Sequence, residues 1–195
     1  MLVYLHGFNS SAASFKARLL GERLAALGRS DEYRCPDLPH RPAAAMRLLE
    51  DLVGGSREPV ALVGSSLGGY YATYLAERYA VPAVLVNPAV RPYVLLQDHL
   101  GPQRNLYTGA EYELTAAHLE DLRALDVATV TPERYLLMVT TGDEVLDYRD
   151  ALARYPGAET LVVPGSDHGF ADFGAQLDRV LAFAGGAAQI PHAVC

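Results

Sequence analysis

Cysteine is almost missing from this chain: Cys35 and Cys195 are the only two in 195 residues. Two thiols so far apart make neither a disulfide framework nor a metal cluster, and they read as free thiols in a reducing cytosol. A run of about 18 apolar residues is also lacking, so no transmembrane helix is expected. Basic charge is in deficit. The 16 Lys and Arg residues face 23 Asp and Glu, a net charge of −7. Nucleic acid and anionic membrane surfaces need a basic face, so neither is an expected partner. No Gly-x-Gly-x-x-Gly loop follows the first apolar run and no P-loop lysine occurs, which argues against nucleotide binding. His40, His99, His118 and His192 have no Cys or carboxylate at ligand spacing. No metal and no cofactor is therefore expected. Repeats and low-complexity tracts are absent. Met1–Leu5 leads straight into a glycine loop without a basic start or cleavage site, so a signal peptide is not expected and the location read from the sequence is cytoplasmic.

Half of the residues are hydrophobic, enough to build a sizeable core in one domain of this length. Short apolar runs alternate with helical patterns. Leu2–Leu5, a weak run at Tyr33–Cys35, Val60–Val63, Ala83–Val86, Tyr135–Thr140 and Thr160–Val163 read as strands. Phe15–Leu27, Ala43–Val53, Gly69–Tyr79, Ala117–Leu125 and Phe173–Phe183 read as helices. Continuous apolar strands between helices imply a parallel sheet covered on both faces. The expected sheet has six strands, all parallel. The stretch from Arg91 to about Asp126 breaks the rhythm and reads as an insertion over the sheet edge. Residues 1–184 then form one domain, and 185–195 a loose tail.

In such a sheet the loops after the strands converge at the carboxyl ends, where ligands bind. Gly64-Ser65-Ser66-Leu67-Gly68 follows the third strand and opens a helix. A strand, Gly-x-Ser-x-Gly and a helix form a nucleophile elbow, a turn so tight that side chains at the glycine positions would collide with backbone. The turn exposes the Ser66 hydroxyl. Asp143 follows the fifth strand and His168 the sixth. Serine, aspartate and histidine in that chain order are the parts of an α/β-hydrolase triad. Serine needs an imidazole to take its proton, and the imidazole needs a carboxylate to hold its tautomer. The developing oxyanion needs two backbone N–H groups, expected from Leu67 after the nucleophile and from Phe8 in the first glycine loop.

Rivals exist for each part. Ser65 is a second hydroxyl one residue early. Asp147 and Glu144 compete with Asp143, which is favoured because Gly142-Asp143-Glu144-Val145-Leu146 has the spacing of a hydrolase acid loop. His6 is expected to shape the oxyanion loop rather than to act chemically, and Tyr70, Tyr71 and Tyr74 to pack in the core and pocket wall. The insertion supplies Tyr93, Leu95, Leu96, Leu100, Leu106 and Tyr107 as a roof, and Arg91 and Arg104 as a local anchor for a phosphate or carboxylate.

Four segments together resemble the YqiA-type bacterial esterases, a small branch of the α/β-hydrolases. They are Tyr4–Ser11, Gly64–Ala72, Val86–Pro92 and Thr141–Tyr148. The resemblance runs from Leu2 to about Phe183. It implies a compact three-layer α/β-hydrolase that begins at what would be the third strand of a full-length hydrolase, with its six strands in spatial order 2-1-3-4-5-6, and a serine esterase for carboxylic or thio esters of short to medium acyl chains. It carries Ser66, Asp143 and His168 over as the triad, and places Asn87, Pro88 and Arg91 at the site entrance. A small-molecule ester is the expected partner. Other readings of the same scaffold are an amidase, peptidase or lactone hydrolase, or a non-catalytic ligand-binding protein.

Overall fold

The computed structural model of the chain describes residues 1–187. Its strands are β1 (Leu2–Leu5), β2 (Tyr33–Arg34), β3 (Ala61–Ser65), β4 (Ala83–Val86), β5 (Gly101–Arg104), β6 (Glu111–Leu114), β7 (Tyr135–Thr140) and β8 (Glu159–Val163). Its α-helices are α1 (Phe15–Ala26), α2 (Pro42–Gly54), α3 (Leu67–Tyr79), α4 (Pro92–Leu95), α5 (Ala116–Arg123), α6 (Tyr148–Arg154) and α7 (Leu177–Ala187). Six strands make one sheet in the order β2-β1-β3-β4-β7-β8, and every neighbouring pair is parallel. That is the order the hydrolase resemblance implies.

The inner strands β1, β3, β4 and β7 are buried throughout because both faces of the sheet are covered. Val3, Leu5 and Leu62 pack with Leu49 of α2 and Leu75 of α3 on one face. Leu2, Tyr4 and Val63 turn the other way and pack with Leu20 and Leu24 of α1 and Val180 of α7. Each fully buried leucine in these layers contributes about 1.5–3 kcal/mol. The register aligns the carboxyl ends at one rim: Leu5 lies opposite Gly64, Ser65 opposite Val86, and Val86 opposite Met138. Whatever follows β1, β3, β7 and β8 therefore meets there.

The segment between β4 and β7 departs from expectation. Instead of an irregular stretch with one helix it contains an antiparallel hairpin, β5 with β6, followed by α5. The hairpin is fastened to the loop after β1: Leu106 N–H donates to Asn9 O at 3.0 Å, and Asn105 Nδ2 to Ser10 O at 2.8 Å. At the other end of the chain, the expected helix from Phe173 begins as a 3₁₀ turn, Ala171–Gln176, before α7. Gly185 and Gly186 belong to α7 rather than to a tail. His192 and Cys195 lie outside the described residues. No helix among the described residues is long and apolar enough to cross a membrane.

Candidate active site

Three crowded glycines shape the turn between β3 and α3. A Cβ on Gly64 would lie 2.3 Å from Gly68 O, one on Gly68 2.0 Å from Leu5 O, and one on Gly69 2.7 Å from the Pro88 Cβ. No side chain fits at any of them. Between them Ser66 adopts φ 55°, ψ −121°, a conformation that costs an L-residue about 1–3 kcal/mol. Hydrogen bonds hold it there. Ser66 N–H donates to Val86 O at 3.1 Å, and Ser66 O accepts from Gly69 N–H at 2.9 Å and Ala89 N–H at 3.1 Å. Ser65, by contrast, ends β3 and is buried within it.

His168 joins Ser66 to an acid. Its Nε2 is 3.1 Å from Ser66 Oγ and its Nδ1 is 2.8 Å from Asp143 Oδ2. The Asp143 side chain is only 2% exposed. Its other oxygen accepts from the N–H groups of Val145 at 2.9 Å and Leu146 at 2.8 Å. Burial pushes this carboxyl up, but the bonds from His168 and the two amides outweigh it and hold it below the usual carboxylate range. The rival acids are engaged elsewhere. Asp147 caps α6 through Arg149 N–H and pairs with the Arg149 guanidinium at 2.5 Å. Glu144 Oε2 accepts from the His168 backbone N–H at 3.0 Å.

The loop that carries His168 has a buried anchor. Asn87 was expected at the entrance but is 3% exposed beneath that loop. Its Nδ2 donates to Asp167 O and His168 O, both at 3.2 Å, and to Thr140 Oγ1 at 3.1 Å, while its Oδ1 accepts from Thr140 N–H at 2.9 Å. Asn87 also has φ 41°, a conformation that asparagine tolerates better than most residues. Phe170, at φ 55°, is fully buried and fixes the far end of the loop. The only hint of the Asn87 role in the sequence was its place right after a buried strand. Asn87→Ala should destabilise the fold by about 2–4 kcal/mol, because it strips partners from several buried groups and leaves alanine at a positive φ. It should also slow ester turnover by loosening His168. Thermal unfolding and turnover measured on one preparation check both effects.

The loop after β1 runs beside the serine. A Cβ on Gly7 would sit 3.2 Å from Ser66 Cβ and 3.6 Å from its Oγ. Phe8 N–H has no acceptor among the described residues, and Leu67 N–H, the first in α3, has no helical partner. His6 locks this loop. Its Nε2 accepts from Leu38 N–H at 2.9 Å, which assigns the proton to Nδ1, donating to Gly7 O at 3.1 Å. Burial lowers the His6 pKa against smaller opposing contributions from Gly7 and Asp37. A neutral imidazole fits these contacts, since protonation would set Nε2–H against Leu38 N–H.

The sheet order has parallels among known proteins. The family described as "Uncharacterised protein family (UPF0227)" matches residues 1–185. The chain belongs to that family. YcfP, a UPF0227 protein from Salmonella gallinarum (strain 287/91 / NCTC 13346), is 23% identical over 189 residues, spanning 94% of this chain and 98% of YcfP. Among solved structures, mouse alpha/beta hydrolase domain-containing protein 10 superposes with a TM-score of 0.70 at 17% identity, covering 95% of this chain and 89% of its own. Est1E from Butyrivibrio proteoclasticus gives 0.68 at 13%, covering 94% and 88%. The esterase domain from a Rhodothermus marinus protein gives 0.64 at 18%, covering 96% and 85%. At such identities the likeness is one of fold, and the fold is that of the α/β-hydrolases.

Two hollows flank the glycine loop of this UPF0227 chain. One, of about 370 Å³, has Ser66, His168, Phe8 and Lys16 in its wall, with Phe15, Leu106 and Tyr107 at its partly exposed mouth. The other, of about 210 Å³, lies along Phe8, Leu67, Tyr71 and Tyr112. Of the six roof residues expected from the insertion, only Leu106 and Tyr107 line the serine cavity. Tyr93 instead donates to Asp126 at 2.7 Å and lies under Arg123. Arg91 and Arg104 line other surface hollows, so they form no anchor beside Ser66. Lys16 does face that cavity, and no motif in the sequence singled it out. Burial lowers its pKa to about 8, against the opposing pull of Asp167 and Asp143.

Proposed function

We propose that this protein is a serine esterase hydrolysing carboxylic or thio esters of short to medium acyl chains. The observation that carries the proposal is the position of His168, within hydrogen-bond reach of Ser66 on one ring nitrogen and of a buried carboxylate on the other. Ser66 Oγ attacks the acyl carbon while His168 Nε2 takes its proton. The carbonyl oxygen gains negative charge opposite the Phe8 and Leu67 N–H groups. Collapse expels the alcohol or thiol, which leaves with the proton held by His168, and the acyl group stays on Ser66. Water then attacks this ester, giving its proton to His168, and the carboxylic acid departs as Ser66 recovers its own. Asp143 keeps the imidazole in the required tautomer and stabilises its charged form. The names of two fold neighbours, an esterase domain and Est1E, support the same chemistry.

A cavity of about 370 Å³ is at the small end for ligand pockets. It suits a short chain better than a long lipid. Hydrolysis of p-nitrophenyl esters of graded acyl length should therefore favour four to eight carbons over two by about 1–3 kcal/mol in kcat/KM. A steady rise out to sixteen carbons would contradict the shallow pocket. Failure to hydrolyse any ester of this series or the thio esters of the same acids would contradict the esterase.

A further inference from the structure

The cavity beside Ser66 has a single cationic side chain in its wall. Lys16 stands in the first turn of α1, and its Nζ donates to Gly169 O at 2.6 Å. It is the only lysine among the 16 Lys and Arg residues of the chain. Seven of the arginines form ion pairs, among them Arg23 with Asp178, Arg134 with Glu77 and Arg179 with Glu159. Among the described residues Lys16 forms no ion pair, although Asp167 and Asp143 are near enough to act on it. A half-buried ammonium held by one carbonyl is costly to keep charged. It has three donors, of which Gly169 takes one. A second cost lies on the same wall, where Ser14 Oγ is buried without a hydrogen-bond partner. Within the fold the first cost is offset only in part, by Asp167 and Asp143.

We propose that Lys16 is a specificity residue that binds a carboxylate or phosphate group carried by the leaving half of the ester. The inference rests on the esterase reading above. The carbonyl oxygen must face the Phe8 and Leu67 amides, and the leaving oxygen must reach His168 for its proton. Lys16 is fastened to Gly169, the residue after His168, so its two remaining donors serve the leaving side. A compact ammonium suits this narrow place better than a guanidinium, whose planar fork is larger and less easily turned. With a net charge of −7 the protein offers anions no general attraction. Recognition has to be local, and Lys16 is where it is local.

The test compares two substrates that differ only in charge on the leaving side: the butyryl ester of para-hydroxybenzoate and the butyryl ester of its methyl ester. The ratio of their kcat/KM values cancels any general loss from loosening the Gly169 contact. Lys16→Met should lower the anionic-to-neutral ratio by about 10- to 100-fold, mainly through KM, the usual size for one charge-assisted contact. Lys16→Arg should recover part of it. In full-length Ser66→Ala protein, isotope-labelled lysine yields one side-chain resonance, and added para-hydroxybenzoate should shift it. A ratio within about twofold of the wild type in Lys16→Met, or a resonance that para-hydroxybenzoate leaves unmoved, overturns the inference. Should the neutral ester turn over normally, only the role of Lys16 falls. Should neither ester turn over and an active-site-directed fluorophosphonate leave Ser66 unmodified, the esterase reading itself falls.

Discussion

Ser66→Ala should lower ester turnover by about 10⁴- to 10⁶-fold, and Ser65→Ala far less. The two serines are neighbours in sequence, share a wall of one cavity and are chemically identical. Only Ser66 occupies the strained position at φ 55°, and only its hydroxyl lies 3.1 Å from His168 Nε2. Removing Oγ from Ser66 leaves the elbow backbone intact, so the loss is one of chemistry rather than of folding. Residual rate should persist, because the amides of Phe8 and Leu67 still polarise a bound carbonyl. Steady-state turnover of a butyryl ester by the two variants, with folding checked by thermal unfolding, separates these outcomes. Equal losses would mean that the elbow presents the wrong residue.

Asp143→Asn should cost about 10⁴-fold in kcat, whereas Asp147→Asn should be mild. In the native site His168 Nδ1–H donates to Asp143 Oδ2, which leaves Nε2 free to accept the Ser66 proton. An amide at position 143 can offer an N–H to Nδ1 and so favour the tautomer with its proton on Nε2, facing the serine. The carboxylate also balances the imidazolium that forms during attack, and asparagine does not. Asp147 is occupied by Arg149 and by the cap of α6. Asparagine caps a helix about as well as aspartate, so the substitution removes only an exposed ion pair and changes the rate little. The reverse ranking would transfer the acid role to Asp147.

Much of this was legible in the sequence, for physical reasons. Gly64, Gly68 and Gly69 betray the elbow because backbone oxygens and Pro88 fill the space of their missing Cβ atoms. The four inner strands β1, β3, β4 and β7 stand out because both faces are buried, which forces unbroken apolar runs. The hairpin was hidden for the opposite reason. Gly101-Pro102-Gln103-Arg104 has no apolar alternation, and pairing with Glu111–Leu114 is supported from outside, by Asn105 on Ser10 and Tyr112 on Asn9. Helix α6 is only seven residues long and carries one fully buried residue, Ala151, too few for a period to show. Asn87 and Lys16 act through contacts with Thr140, the His168 loop and Gly169, all distant in the chain. No local spacing announces such partners.

The most direct measurement of the central claim is covalent labelling of the wild-type protein with a fluorophosphonate, mapped by peptide mass spectrometry. The expected result is one adduct on Ser66, absent in Ser66→Ala and formed much more slowly in His168→Ala. An adduct on Ser65 or another residue, or labelling that survives Ser66→Ala, would contradict it.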